Sequence, residues 1–170
     1  SIDDMSWLIG IIEGEGSFYV HIQRSKQHPR TYFRASPAFG IAVKEEDLPG
    51  LLEAQRILTS FGIRSRMKHR KQNNPRWSNS CTLEISYWRE SKKLRDLLAS
   101  VKWRLPSKAR SFQLWSEAID LVSSNATQWG KRLRVRWSNK LLHDLAFLRE
   151  QGMNGKGARK HKSEDFPYGN

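Results

Sequence analysis

The stretch Leu8-Ile9-Gly10-Ile11-Ile12-Glu13-Gly14-Glu15-Gly16 is an apolar helical run that ends in two carboxylates interleaved with glycines. Ser1 to Ile12 reads as the helix: Asp3 and Asp4 sit in its first turn, where acids offset the positive end of the dipole, and apolar residues follow. The glycines are expected to stop it. Trp7, Leu8, Ile9, Ile11 and Ile12 leave almost no polar face, which predicts burial on nearly every side. Gly10 and Gly14 stand four apart on one face and let another backbone approach, at a cost of about 1 kcal/mol per glycine relative to alanine. Glu13 and Glu15 fall at the negative end of the dipole, where an acid is disfavoured by roughly 0.3–1 kcal/mol. A bound cation is the natural compensation. The same residues also read as a plain solvated turn, with Gly16 as the cap and both glutamates in water.

Composition narrows the partners. A formal charge of +13 and a pI near 10.2 call for a polyanion. Lys and Arg fall in strand-like stretches rather than in a lone basic amphipathic helix, which favours nucleic acid over a membrane surface. At 38% hydrophobic residues and a mean hydropathy of −0.70, with no apolar run near the roughly 18–20 residues of a membrane span, no membrane partner is expected. Only Cys81 is present, so intrachain disulfides and Cys-rich zinc modules are excluded. No secretory signal pattern is legible at the N-terminus, so the expected location is inside a cell: the cytoplasm of an archaeon or bacterium, or an organelle. The 170 residues suit one domain, 1–151, followed by a flexible basic tail, 152–170.

Past Gly16 the periodicity switches from helical to alternating. Phe18, Val20 and Ile22 face inward while Tyr19, His21, Gln23 and Ser25 face outward, as in a half-buried strand. Lys26 to Arg30 is a polar connection. A second strand is expected from Thr31 to Val43, with Phe33, Phe39, Ile41 and Val43 inward, Tyr32, Arg34 and Ser36 outward, and Pro37 at a bulge or edge. Asp47 is the candidate N-cap of a helix whose apolar face is Leu51, Leu52, Ala54, Ile57, Leu58 and Phe61, closed by Gly62. From Ile63 to Lys71 every second residue is basic, so Arg64, Arg66, Lys68 and Arg70 form a row of cations on one strand face. After a turn over Gln72–Arg76, the partner strand from Trp77 to Trp88 places Cys81, Leu83, Ile85 and Tyr87 inward and Ser78, Ser80, Thr82, Glu84 and Ser86 outward. A helix over Ser91–Val101 follows, then helices over Ser107–Ser123 and Ser138–Gln151. The segment Lys131–Trp137 between them lies along phosphates or is a solvated connector.

The nine residues Leu8–Gly16 resemble the signature of the LAGLIDADG homing endonucleases: the leading Leu, the Gly in third place, the apolar pair, two acids with Glu for Asp, a small residue between them, and the closing Gly. The order helix, two strands, helix, two strands, helix is also that family's domain pattern. The resemblance implies an α+β fold, αββαββα, with a saddle-shaped antiparallel DNA-binding sheet and extra C-terminal helices. With a single motif and no internal repeat, it further implies a homodimer whose interface uses Trp7, Gly10, Ile11 and Gly14. Glu15 matches the family's metal-binding acid, with Gly14 beside it, and Glu13 matches an acid that organises the helix end. Two or more Mg2+ ions shared at that interface would hydrolyse phosphodiester bonds by two-metal chemistry. Double-stranded DNA would be read or gripped by Tyr19, His21, Gln23, Tyr32, Arg34, Arg64, Arg66, Lys68, Arg70, Ser78, Ser80 and Thr82. The pattern weakens at the accessory positions. Lys44 is the candidate water-organising residue, and Lys108 the candidate basic residue, with Arg104 and Lys102 as alternatives.

The leading expectation is therefore a site-specific, intron-encoded double-strand DNA endonuclease cutting a long pseudo-palindromic site. An intron-encoded splicing maturase that binds intron RNA and a non-cleaving DNA binder of the same fold are the alternatives. Retention of both Glu13 and Glu15 favours cleavage, because a pure binder gains nothing from acids beside phosphates.

Overall fold

The computed structural model describes residues 2–25, 32–74, 78–152 and 161–168. The polar connection expected over 26–30, part of the turn expected over 72–76 and part of the tail lie outside the described residues. In chain order the elements are α1 (Ile2–Glu15), β1 (Gly16–Ser25), β2 (Tyr32–Lys44), α2 (Leu48–Ser60), β3 (Arg66–Arg70), β4 (Ser80–Ile85), α3 (Trp88–Leu98), α4 (Pro106–Ser124), β5 (Ala126–Trp129), β6 (Arg132–Val135) and α5 (Asn139–Glu150). Short 3-10 turns occupy Glu45–Asp47 and Ser163–Asp165. Four strands hydrogen-bond in the order β1-β2-β4-β3, and β5 and β6 form a separate two-stranded ribbon. The expected α+β order of the first seven elements is thus met, and the ribbon is an addition to it.

The chain divides into two compact units, one made of Ser1–Ser17 and Ala38–Ala109, the other of Phe18–Pro37 and Arg110–Asn170. In the first, Leu8 and Ile12 of α1, Leu51, Ala54, Ile57 and Leu58 of α2, and Leu94 and Leu98 of α3 are buried with Phe39, Ile41, Cys81, Leu83 and Ile85 of the strands. Each helix contributes residues at helical spacing and each strand contributes alternate residues, which is why these sequences form these elements. β2 pairs antiparallel with β4 from Phe39↔Ile85 to Lys44↔Ser80, and β4 pairs antiparallel with β3 from Arg66↔Glu84 to Arg70↔Ser80. β2 is an interior strand. Pro37, which has no N–H to donate, stands two residues before its ladder with β4 begins.

In the second unit Phe18, Val20 and Ile22 of β1 are buried as their alternation predicts, together with Leu114, Trp115, Ala118, Ile119 and Val122 of α4 and Leu141, Leu142, Leu145 and Ala146 of α5. Phe18 meets Phe112 edge-on at 5.3 Å and Trp115 at 4.8 Å between ring centroids. Ser138 caps α5, its side chain accepting the Leu141 N–H at 3.2 Å.

Several expectations are corrected. α1 runs on to Glu15 instead of stopping at Ile12, so both acids lie in its last turn. Within the chain α1 buries only Leu8 and Ile12, and Trp7 is 41% exposed, so it is not covered on nearly every side. Leu52 and Phe61 of the α2 region are exposed, and Asp47 occupies the N-cap position without a side-chain capping bond. Tyr87 is exposed because β4 ends at Ile85 and α3 begins at Trp88, three residues before the expected start. The composition of 152–170 suggests a flexible tail, yet 161–168 packs on α5. Phe166 is buried, the Arg149 guanidinium donates to the His161 carbonyl at 2.5 Å, His143 Nδ1 faces the Ser163 and Phe166 carbonyls at 2.9 and 3.1 Å, and the Tyr168 hydroxyl donates to Asp144 at 2.6 Å.

Candidate functional site

The site is built where α1 ends and α4 begins. Glu13 Oε1 accepts the backbone N–H groups of Arg104 and of Leu105, the latter at 2.9 Å. These two residues immediately precede α4, so the carboxylate satisfies donors at the entry of a helix whose positive dipole end favours an anion. This contact fixes the start of α4 beside the end of α1. Lys108, in the first turn of α4, then reaches back and donates through Nζ to the Gly16 carbonyl. Burial lowers the Lys108 ammonium below its ordinary value, while the nearby Glu13 and Glu15 charges oppose that shift. Of the three basic candidates, Lys108 is the one whose side chain arrives, and Arg104 contributes its backbone instead.

Gly16 has no room for a side chain: a Cβ there would lie 2.5 Å from the Ile12 carbonyl oxygen. Gly10 and Gly14 are different, since nothing lies within 4 Å of a Cβ built at either. A cavity of about 540 Å³ opens along the Gly10 side of α1, lined by Ser6, Ile9, Gly10 and Glu13 and by Ser100, Val101, Lys102 and Arg104. Glu15 is exposed at the helix end. Carbonyls of a helix's last turn, Gly14's included, have no partner within the helix. Among the described residues no group of three or more His, Cys, Asp or Glu gathers into a cation site. At the end of α1 Glu15 is thus the open carboxylate, while Oε1 of Glu13 is taken by the entry of α4. Mg2+ keeps several waters and takes only one or two protein carboxylates, so one open carboxylate beside free carbonyls is a donor set that such an ion accepts.

Lys44 does not join this cluster. It ends β2 and lies 3.9 Å from Glu46, both side chains largely exposed.

The basic row is shorter and more neutralised than the sequence implied. Directly opposed residues share a sheet face, so Arg66, Lys68 and Arg70 of β3 line up with Glu84, Thr82 and Ser80 of β4 and with Gly40, Ala42 and Lys44 of β2. The other face carries Phe39, Ile41, Val43, Cys81, Leu83 and Ile85 with Met67 and His69, and Cys81 Sγ lies 3.3 Å from His69 Nδ1. Lys68 is in an ion pair with Glu84. Arg64 lies before β3, not in it, and is held by Glu90: the carboxylate accepts its backbone N–H at 2.9 Å and its guanidinium at 3.3 Å, and takes Lys93 Nζ at 3.1 Å. Burial pushes the Glu90 carboxyl up, but these donors outweigh it and hold it below the ordinary carboxylate value. Ser78 lies ahead of β4, exposed, because the strand begins at Ser80.

In the second unit His21 and Arg34 are exposed, Tyr32 is 38% exposed, and Tyr19 and Gln23 are half-buried. With its amide oxygen turned toward Arg34, Gln23 accepts from Nε at 2.6 Å and Nη2 at 2.9 Å. Two expected DNA-reading side chains therefore hold each other.

Two features escape a reading of the sequence. Glu90 sits at the start of a polar helix, with nothing local to mark it as buried. The ribbon β5–β6 did leave a signal: Gly130, at φ 58°, opens a two-residue loop between alternating segments.

The structure thus holds an acid-ended helix braced by a half-buried lysine, and a sheet with a cationic face. The family model for LAGLIDADG endonuclease matches residues 8–119. The chain belongs to the LAGLIDADG endonuclease family, and the resemblance read from Leu8–Gly16 is met. Among solved structures it is similar to the group I intron-encoded homing endonuclease I-CeuI complexed with DNA, at TM-score 0.67 and 15% identity, covering 98% of this chain and 76% of that one. The archaeal intron-encoded homing endonuclease I-Vdi141I complexed with DNA matches at TM-score 0.64 and 20% identity, over 97% of this chain and 92% of that one. I-GzeII in complex with its DNA target matches at TM-score 0.62 and 22% identity, over 95% of this chain but 48% of that one. Comparison with curated protein sequences finds no match. Among the described residues, no helix is long and apolar enough to cross a membrane.

Proposed function

We propose that two copies of this chain pair through α1 to form a homodimeric, divalent-metal-dependent endonuclease that cuts double-stranded DNA at a long pseudo-palindromic site. The observation that carries this reading is the asymmetry of the two acids. Glu13 is consumed at the entry of α4, whereas Glu15 is left open at the end of a helix whose Gly10 and Gly14 face is uncovered. A second α1 crossing there, with Trp7 and Ile11 at its margins, would bring two Glu15 carboxylates together, an arrangement that repels unless cations lie between them. The 48% coverage of I-GzeII, a structure solved on DNA, suits a chain that supplies half of an enzyme.

Glu15, with the Gly14 carbonyl, would hold the metal. Bound Mg2+ would supply an activated water and stabilise the leaving oxygen. Lys108 keeps the end of α1 in place through Gly16 and puts a positive charge beside the acids. The outward residues of β1 to β4 would face DNA, and the coding context would be a mobile intron, as for I-CeuI and I-Vdi141I.

The test is incubation of wild type and Glu15→Gln with a random duplex library and Mg2+. Wild type should cut a subset of sites, and the variant should lose about 10³-fold or more, equivalent to about 4 kcal/mol of barrier. Equal cutting by Glu15→Gln would remove the catalytic assignment. A monomer in sedimentation on DNA would remove the dimer, and RNA binding without DNA cleavage would return the maturase. Because the Lys108 ammonium is lowered from 10.5, cutting should fall on the alkaline side before an ordinary lysine would titrate, and Lys108→Arg should move that limb upward.

A further inference from the structure

The ribbon β5–β6 lies outside the four-stranded sheet and outside the acid cluster, and its two faces differ in kind. Opposed pairs alternate between them: Ala126↔Val135 and Gln128↔Leu133 on one, Thr127↔Arg134 and Trp129↔Arg132 on the other. On the first face Ala126, Leu133 and Val135 are half-buried. On the second, Thr127, Trp129, Arg132 and Arg134 are all exposed, and Arg136, next in the alternation and also exposed, extends the row. Three arginines at every second position stand about 6.6 Å apart along an extended strand. Among the described residues, no acid pairs with any of them.

The ribbon is also pre-shaped. Its base is closed by the Arg136 N–H donating to the Asn125 carbonyl at 2.9 Å, and Asn125 in turn donates from Nδ2 to the Leu121 carbonyl of α4 at 2.9 Å. At the tip Gln128 Nε2 donates to the Gly130 carbonyl at 2.6 Å. The Arg134 guanidinium lies 5.6 Å from the centroid of the Trp129 ring, a cation–π contact that restrains it. Trp129 is 69% exposed, far more than a core indole, so its ring serves the open face.

We propose that this face is a second, sequence-blind DNA-binding element: Arg132, Arg134 and Arg136 grip phosphates of duplex DNA, and Trp129 is the positioning residue for Arg134. The proposal takes only the identity of the polymer from the function proposed above. A row of unpaired guanidiniums matches a phosphate backbone, and since phosphates carry no sequence, removing the row should weaken all duplexes alike.

The experiment measures binding of the full chain, without metal, to a mixed-sequence duplex across a salt series. Wild type is compared with Arg132→Gln/Arg134→Gln/Arg136→Gln and with Trp129→Ala and Trp129→Phe, thermal melting confirming that each variant is folded. The triple variant should flatten the slope of log affinity against log salt by roughly 2–3, at about 0.9 per phosphate released. Trp129→Ala should give a smaller loss that Trp129→Phe restores. An unchanged slope in the folded triple variant overturns the proposal. So does a loss confined to single-stranded RNA or to vesicles of anionic lipid run in parallel. Wild type that binds duplex yet cuts nothing would remove the endonuclease reading while leaving this one to be decided by the slope.

Discussion

β3 and the ribbon β5–β6 are both short, basic and antiparallel, yet they treat their cations in opposite ways. Around β3, Glu84 pairs with Lys68 and the buried Glu90 holds Arg64. On the ribbon no described acid intervenes, and among the described residues it is an aromatic ring that restrains the Arg134 guanidinium. Internal pairing fixes where a side chain points but spends part of its charge. An aromatic partner fixes the side chain and leaves the charge for a ligand. Under the proposals made above, the two elements would suit different tasks: positioned reading at β3, plain attraction at the ribbon.

The largest effect that would break this contrast is expected at Glu90. Replacing it by Ala leaves the Arg64 N–H without its acceptor and removes the partner of Lys93, and should cost about 2 kcal/mol in denaturant unfolding. No loss would show that β3 needs no internal acid. The same carboxyl carries a pH signature. Its folded value is held below the ordinary 4.5, so its stabilisation is present above 4.5 and disappears as pH falls through the lower folded value. Hydrogen exchange around Ile63–Ser65 should speed up in that acid window in wild type and lose the dependence in Glu90→Ala. A smaller effect is expected at Glu84. Glu84→Gln releases Lys68 to solvent and should steepen the salt dependence of DNA binding by about 1. A flat response would mean that Lys68 faces no phosphate.

Where the burden was local, the sequence sufficed. The alternation Phe18, Val20, Ile22 and the periodicity of Leu51, Ala54, Ile57 and Leu58 are properties of a few adjacent residues, and they are buried as they read. The motif Leu8–Gly16 carries the family. What failed depended on distant partners. α1 passes through Gly14, where propensity alone would stop it, with Glu13 anchored to residues 91 and 92 positions away. Glu90 is buried against the backbone of Arg64, 26 residues earlier. The tail looked unstructured by composition, yet Phe166 found a place beside Phe33, at 5.2 Å between ring centroids, that no local pattern announces. The ribbon's strands are only four residues each, too short for their alternation to stand out from a charged connector.

The long reach from Glu13 to the start of α4 also has a kinetic meaning. Loop-closure entropy rises only with the logarithm of length, so closing 91 residues costs about 1 kcal/mol more than closing the 26 between Arg64 and Glu90. Contacts of such high sequence separation form late. A chain still being synthesised has its N-terminal motif in place, but not yet Lys108 or the backbone N–H groups that brace it. The Glu13 anchor therefore has its backbone donors only once the entry of α4 has been made.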